Sequence, residues 1–258
     1  YIAYGAAEFL HQAAFSALTL VHHDGSGLMA PVIYTDNPDY FAKLGLATVA
    51  IDMRQVAAWK GRFEFLHRVK IEVLRDALRR FPGEGGWVLF DADTFWKRGP
   101  QHMVAALSAG KATMHVLEKD IGPAYHAAVG RALEIVKPSP VPHAMLNAGV
   151  VGVPREGGAA AVDAALALCD RLLLYCRERN WLEQAAFSIV LKERFDVYFA
   201  EEDIYHYWNM NRQIGPVLAK FFEANRDLPL AQLRAAAVAF DPIPETRLRL
   251  EAEQNAPR

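Results

Sequence analysis

Short, continuous apolar runs alternate with helical segments along this chain, and that alternation restricts the fold to the α/β class. Residues 1–4, 30–34, 47–53, 87–90, 113–117, 148–153 and 197–200 read as strands. Most are apolar at successive positions rather than at every second one, the pattern of strands covered on both faces in a largely parallel sheet. Between them, residues 7–21 carry Phe9, Leu10, Ala13, Ala17, Leu18 and Val21 at helical spacing. Further helices are expected over 38–44, opened by Pro38, and over 63–81, stopped by Pro82 and Gly83. Others follow over 158–177, over 181–194 and after Pro216, while 137–142 reads as a Pro-rich loop and the tail after Pro242 as a mobile end. The expectation is a single Rossmann-like α/β domain with a mixed central sheet and a helical C-terminal appendage.

Composition removes several functional classes. Lys and Arg number 28 against 30 Asp and Glu, so no basic excess marks a nucleic-acid partner. No apolar run reaches the length of a membrane span, and no signal peptide is evident. Cys169 and Cys176 lie two turns apart on one expected helix, about 10 Å between Cα atoms, which is too far for a disulfide. They fit a reduced, cytoplasmic setting. With no further Cys, a thiolate zinc site has no basis.

Chemistry concentrates where the strand at 87–90 ends, in Asp91-Ala92-Asp93. Ligand sites in open α/β sheets form beyond the C-terminal ends of strands. Residues i and i+2 of an extended chain point the same way, so both carboxylates are expected to face one point and share a hard divalent cation. Such a cation also bridges phosphate oxygens and neutralises charge on a diphosphate leaving group. The same acidic pair admits a rival, a phosphatase of the haloacid dehalogenase type using D-x-D-x-T, with the first Asp as nucleophile. That class places its motif on the first strand of the core, whereas Asp91 follows three strand–helix steps; it also needs a later acidic pair for magnesium, and no Asp-Asp or Gly-Asp occurs in this chain. A non-catalytic domain that binds a nucleotide sugar or a protein partner is the third possibility.

Four segments in order resemble the nucleotide-diphospho-sugar transferases of the A-type glycosyltransferase fold, nearest the glycogenin-like and galactosyltransferase-like retaining group. They are Val32-Ile33-Tyr34-Thr35-Asp36; His67-Arg68-Val69-Lys70 leading to Leu89-Phe90-Asp91-Ala92-Asp93-Thr94; Leu146-Asn147-Ala148-Gly149-Val150-Val151-Gly152; and Trp181-Leu182-Glu183-Gln184 followed by His206-Tyr207. The resemblance covers residues 1–210 and implies a metal-dependent transfer of sugar from a nucleotide-diphosphate donor, UDP-sugar favoured, to an acceptor it does not name. It implies Mn2+ or Mg2+ on Asp91, Asp93 and His206. Tyr4, Thr35, Asp36, Arg68, Lys70, Ala92 and Asn147 are implied at the donor, and Glu183 and Gln184 at the reacting face. Residues 1–111 would be the nucleotide-binding half, 112–210 the sugar and acceptor half, and 211–258 an extension. Retention at the anomeric carbon follows from the same resemblance, and an oligomer remains open. Three departures are visible: Ala148 where the group often has Ser, Glu183 where it has Asp, and Trp208-Asn209-Met210-Asn211 in place of a Gly and a Lys-Pro-Trp.

Overall fold

The apolar runs become short strands, and the structure adds small elements that carry no strong periodicity. In this computed structural model residues 1–82, 85–118, 123–136, 144–177 and 179–255 are described; the segment 137–142, read as a loop, lies outside them. The chain opens with β1 (Ile2–Ala3), α1 (Ala7–His23), β2 (Val32–Thr35), α2 (Pro38–Ala42) and β3 (Ala47–Ala50). It continues through α3 (Met53–Lys60), a 3-10 turn (Gly61–Phe63), α4 (Arg68–Arg80), β4 (Trp87–Phe90), β5 (Thr94–Trp96), α5 (Gln101–Ser108), β6 (Ala112–Met114) and α6 (Pro123–Val136). Then come β7 (Val150–Val153), α7 (Arg155–Leu172), α8 (Leu182–Arg194), β8 (Val197–Phe199), β9 (Ile204–His206), α9 (Asn211–Ala224), α10 (Leu230–Ala239) and α11 (Ile243–Gln254).

Local chemistry sets several boundaries that the sequence reading placed elsewhere. The third strand stops at Ala50 because Asp52 caps α3, its Oδ1 accepting the Gln55 N–H at 2.7 Å. The helix expected from residue 63 starts at Arg68, since Glu64 takes a left-handed φ of 52° after the 3-10 turn. Gly157, at φ 74°, breaks the first turn of α7, so regular helix begins at Gly158 as the sequence suggested. Pro216 lies inside α9 instead of before it, because the Gln213 and Ile214 N–H groups already bond Met210 O at 3.1 and 3.0 Å.

The expected α/β domain is built from two compact units, each discontinuous in sequence. The first comprises Tyr1–Ile51, Phe90–Pro100 and Glu202–Arg258, and the second Asp52–Leu89 and Gln101–Glu201. In the first unit β1, β2 and β3 form a parallel sheet, with Ile2 opposite Tyr34 and Val32 opposite Ala47. The ribbon β5–β9 is antiparallel. Its core gathers Phe15 and Leu18 of α1 with Tyr207, Ile214, Leu218, Phe221, Leu233 and Ile243. Phe15 meets Phe95, Phe221 and Phe240 edge-on at 5.9, 5.5 and 6.2 Å between ring centres. The tail after Pro242 is helical rather than loose: Thr246 is fully buried and donates to Pro242 O at 2.6 Å.

The second unit holds the mixed sheet, in the order β4-β7-β6-β8. Strand β6 runs antiparallel to β7 and parallel to β8. Gly152 allows the β6–β7 approach, since a Cβ there would stand 2.9 Å from the Thr113 Cβ. Helices α4, α7 and α8 pack together beside it. Among the described residues no helix is long and apolar enough to cross a membrane.

Phe15→Ala should lower the unfolding free energy by about 3–5 kcal/mol, the cost of removing a fully buried aromatic side chain. Urea unfolding followed by near-UV circular dichroism measures it; a loss below about 1 kcal/mol would contradict the role given to this cluster.

Candidate metal centre

Asp91 and Asp93 converge by a turn, not by the extended pairing expected from their spacing. The chain leaves β4 at Phe90, turns through 91–93 and enters β5 at Thr94. Thr94 Oγ1 closes the turn by donating to Asp91 O at 2.8 Å. Thr94 is itself fully buried, with its hydroxyl 2.9 Å from that of Ser16 on α1. Thr19, one turn further along α1, accepts the Trp96 backbone N–H at 3.0 Å. The Tyr1 hydroxyl lies 3.2 Å from Ser16 Oγ and accepts Trp96 Nε1 at 3.3 Å, and burial pushes this phenol up to about 12, so it stays protonated. Two hydroxyls on the buried face of α1 thus contact Thr94 and Trp96, the residues that follow the acidic turn.

The ribbon delivers His206. Thr94 pairs with His206, Phe95 with Tyr205 and Trp96 with Ile204, and the Tyr207 N–H donates to Asp93 O at 3.0 Å. His206 Nε2 then stands 3.3 Å from Asp93 Oδ1, with the two side chains 4% and 13% exposed. One ligating atom from each of Asp91, Asp93 and His206 lies within 4.8 Å of the others. Asn211 Nδ2 donates to the second Asp93 oxygen at 2.8 Å. The Tyr207 hydroxyl donates to Ala92 O at 3.4 Å, and burial, followed by the Asp93 charge, raises its pKa well above the phenol range. It is therefore a neutral donor in this wall. Phe95 stacks on Tyr205 at 5.2 Å, while Trp208 is 62% exposed.

This donor set fits a divalent cation: two carboxylates and one imidazole. Such ions keep further positions for water or phosphate oxygens. Asn211, which bonds Asp93, also has a buried amide oxygen, Oδ1, without a hydrogen-bond partner.

Tyr4, Thr35 and Asp36 belong to the same unit, at the C-terminal edge of β1 and β2. Thr35 is fully buried and its Oγ1 accepts the Asn37 N–H at 3.1 Å. Asp36 Oδ2 accepts the Gly5 N–H at 3.0 Å, and half-burial together with the Asp36 charge raises the Tyr4 phenol.

The remaining sequence-derived residues lie in the second unit. Arg68 spends its guanidinium internally, on Asp170 at 2.7 and 3.1 Å, on Glu72 at 2.9 Å and on Trp59 O at 2.6 Å. Lys70 Nζ bridges Glu183 Oε1 at 2.8 Å and Ala148 O at 2.9 Å. Glu118, missed by sequence reasoning, joins two of the expected residues, accepting Asn147 Nδ2 at 2.8 Å and Gln184 Nε2 at 2.9 Å. Asn147 Oδ1 and Gln184 Oε1 accept the Gly149 and Ala148 N–H groups at 2.9 and 3.2 Å. A carboxylate just past the expected strand at 113–117 was the available signal, the same one used for Asp91. The phosphatase motif is not met by the chain: D-x-D-x-T requires Thr at 95, which is Phe95, and the threonine falls at 94.

No protein-family model and no curated protein matches the chain. Among solved structures it is similar to mouse xyloside xylosyltransferase 1 in its apo form, at 12% identity and a TM-score of 0.48, over 77% of this chain and 82% of that one. It is also similar to the glycosyltransferase GlyE of Streptococcus pneumoniae TIGR4, at 9% identity and a TM-score of 0.49, over 99% of this chain and 64% of that one. The functional reading rests on the residues of the site.

Thr94→Val should remove the bond that closes the acidic turn and cost about 1–3 kcal/mol, with weaker Mn2+ binding. Urea unfolding and a Mn2+ titration check it; unchanged values in both would show that this hydroxyl does not position the turn.

Proposed function

We propose that this chain is a metal-dependent glycosyltransferase of the A-type fold, acting on a nucleotide-diphosphate sugar. The observation that carries the proposal is the Asp91–Asp93–His206 cluster, set after a strand and closed by the β5–β9 ribbon. A bound Mn2+ or Mg2+ would supply Lewis-acid stabilisation of the diphosphate leaving group. The protein's own part is to hold two carboxylates and an imidazole in place before the ligand arrives, which avoids reorganisation when the bond breaks. Tyr207 fixes the turn from its other side, its buried N–H and hydroxyl donating to the Asp93 and Ala92 carbonyls.

In this reading the nucleotide falls to residues 1–111, with Tyr4, Thr35, Asp36 and the Ala92 backbone on its side and a uridine base favoured. The sugar and acceptor fall to residues 112–210, through Asn147, Glu183 and Gln184. Residues 211–258 add α9 to α11 to the core that α1 begins. Lys70 is assigned to the same sugar-facing group, since it fixes Glu183 and the Ala148 carbonyl. Arg68 is assigned to bracing α4 against α7 through Asp170, in place of donor contact. Retention at the anomeric carbon is part of the proposal. Inversion requires a general base for the acceptor, and Glu183, the acid expected near that step, is 3% exposed and held by Lys70.

A thermal-shift screen of nucleotide sugars with and without Mn2+ tests the assignment. A donor at a hundred times its dissociation constant should stabilise the protein by about 2.7 kcal/mol, only with the metal. Asp91→Asn and Asp93→Asn should fold and lose that response. Shifts from no donor at all, or shifts that survive both substitutions, would contradict it. Proton NMR of the first-formed product reads the stereochemistry: a retained anomer is expected, and an inverted one would make Glu183 the base.

A further inference from the structure

Asn211 stands beside the acidic turn without belonging to any pattern that pointed there. Its backbone oxygen accepts Gln12 Nε2 from α1 at 3.3 Å, and Gln12 is 1% exposed. Its amide nitrogen donates to Asp93 Oδ2 at 2.8 Å and faces Trp208 O at 3.4 Å. Both of these partners accept only, so chemistry dictates which end of the amide faces them. The other end, Oδ1, bonds neither of them. It is sealed from solvent and accepts no hydrogen bond. Leaving a buried carbonyl oxygen unbonded carries a desolvation cost. The residue is nevertheless fixed from two directions, by α1 through its backbone and by Asp93 through its side chain.

An atom of this kind has a ready use next to two carboxylates and an imidazole. Hard divalent cations are bound through oxygen, and amide carbonyls serve alongside carboxylates. Covalent geometry keeps Oδ1 within about 5 Å of Asp93 Oδ2, since Nδ2 is bonded to the same carbon and lies 2.8 Å from that oxygen. We infer that Asn211 is a fourth protein ligand of the metal centre through Oδ1, while its Nδ2 orients Asp93. The inference rests on the metal reading above and adds to it a residue that neither the acidic motif nor the resemblance indicates.

Loss of the free Mn2+ signal in electron paramagnetic resonance, titrated against the intact chain, provides a readout independent of activity. Asn211→Leu should weaken Mn2+ binding tenfold or more and leave the melting temperature of the metal-free protein within a few degrees of wild type. Asn211→Asp keeps an oxygen but sets a further carboxylate beside Asp93. It should melt lower without metal, recover with Mn2+, and bind Mn2+ at least as tightly as wild type. A crystal of the wild-type protein with Mn2+ should place Oδ1 within about 2.6 Å of the ion. Wild-type affinity in Asn211→Leu, or an ion bound by Asp91, Asp93 and His206 with Oδ1 beyond ligand distance, overturns the inference alone. A wild-type chain that binds no Mn2+ overturns it together with the metal reading.

Discussion

The pairing of β5 with β9 is the constraint on which the proposed site depends. It joins Thr94 to His206 and Asp93 O to the Tyr207 N–H. Residues more than a hundred positions apart thereby become neighbours, and a slip of one residue in this short ribbon would turn His206 to its opposite face. Only three residue pairs define the register. The surroundings make up for that brevity: Thr94 and Trp96 are held by hydroxyls of α1, and Tyr207 is fully buried in the aromatic core. The hydrophobic cluster around Phe15 is thus also what keeps the ligands in register. It buries α1 and α9 together, and α9 begins at Asn211, which grips Asp93.

Charge is distributed differently in the two clusters. Around Asp91 and Asp93 two carboxylates face a histidine and an amide, a set with an excess of negative charge that a cation would complete. In the second unit Lys70 offsets Glu183, and Glu118 is occupied by the amide groups of Asn147 and Gln184. That second arrangement offsets its carboxylates by an ion pair and by amide donors. It fixes the loop from Asn147 to Gly149 by four hydrogen bonds, from Glu118, Lys70, Gln184 and Asn147 itself.

Much of the scaffold was legible in the sequence, and the reasons are specific. Residues forming β1, α1, β2 and β4 announce themselves by apolar runs and helical spacing, and Asp91 and Asp93 by following one of those runs. The ribbon strands were not legible: three residues give no period, and Thr94-Phe95-Trp96 and Ile204-Tyr205-His206 become strands only through each other. Helix α3 was legible in principle, from Asp52 as cap with Gln55 three residues on, but the apolar run at 47–51 hid it. The convergence of Asp91 and Asp93 was anticipated for the wrong geometric reason, since a turn closed by Thr94 replaces the extended pair. Glu118 and Asn211 escaped because their roles arise from contacts across 29 and 118 residues, which spacing cannot reveal.

Direct assay of nucleoside-diphosphate release tests the central claim most immediately. The chain would be incubated with a panel of nucleotide sugars, with Mn2+ or with chelator, and the nucleotides separated by chromatography. The account predicts Mn2+-dependent release of a nucleoside diphosphate from one donor, with water as the default acceptor, and its disappearance in Asp93→Asn. Release that is indifferent to metal, or inorganic phosphate liberated from a phosphoester with no sugar donor present, would contradict it.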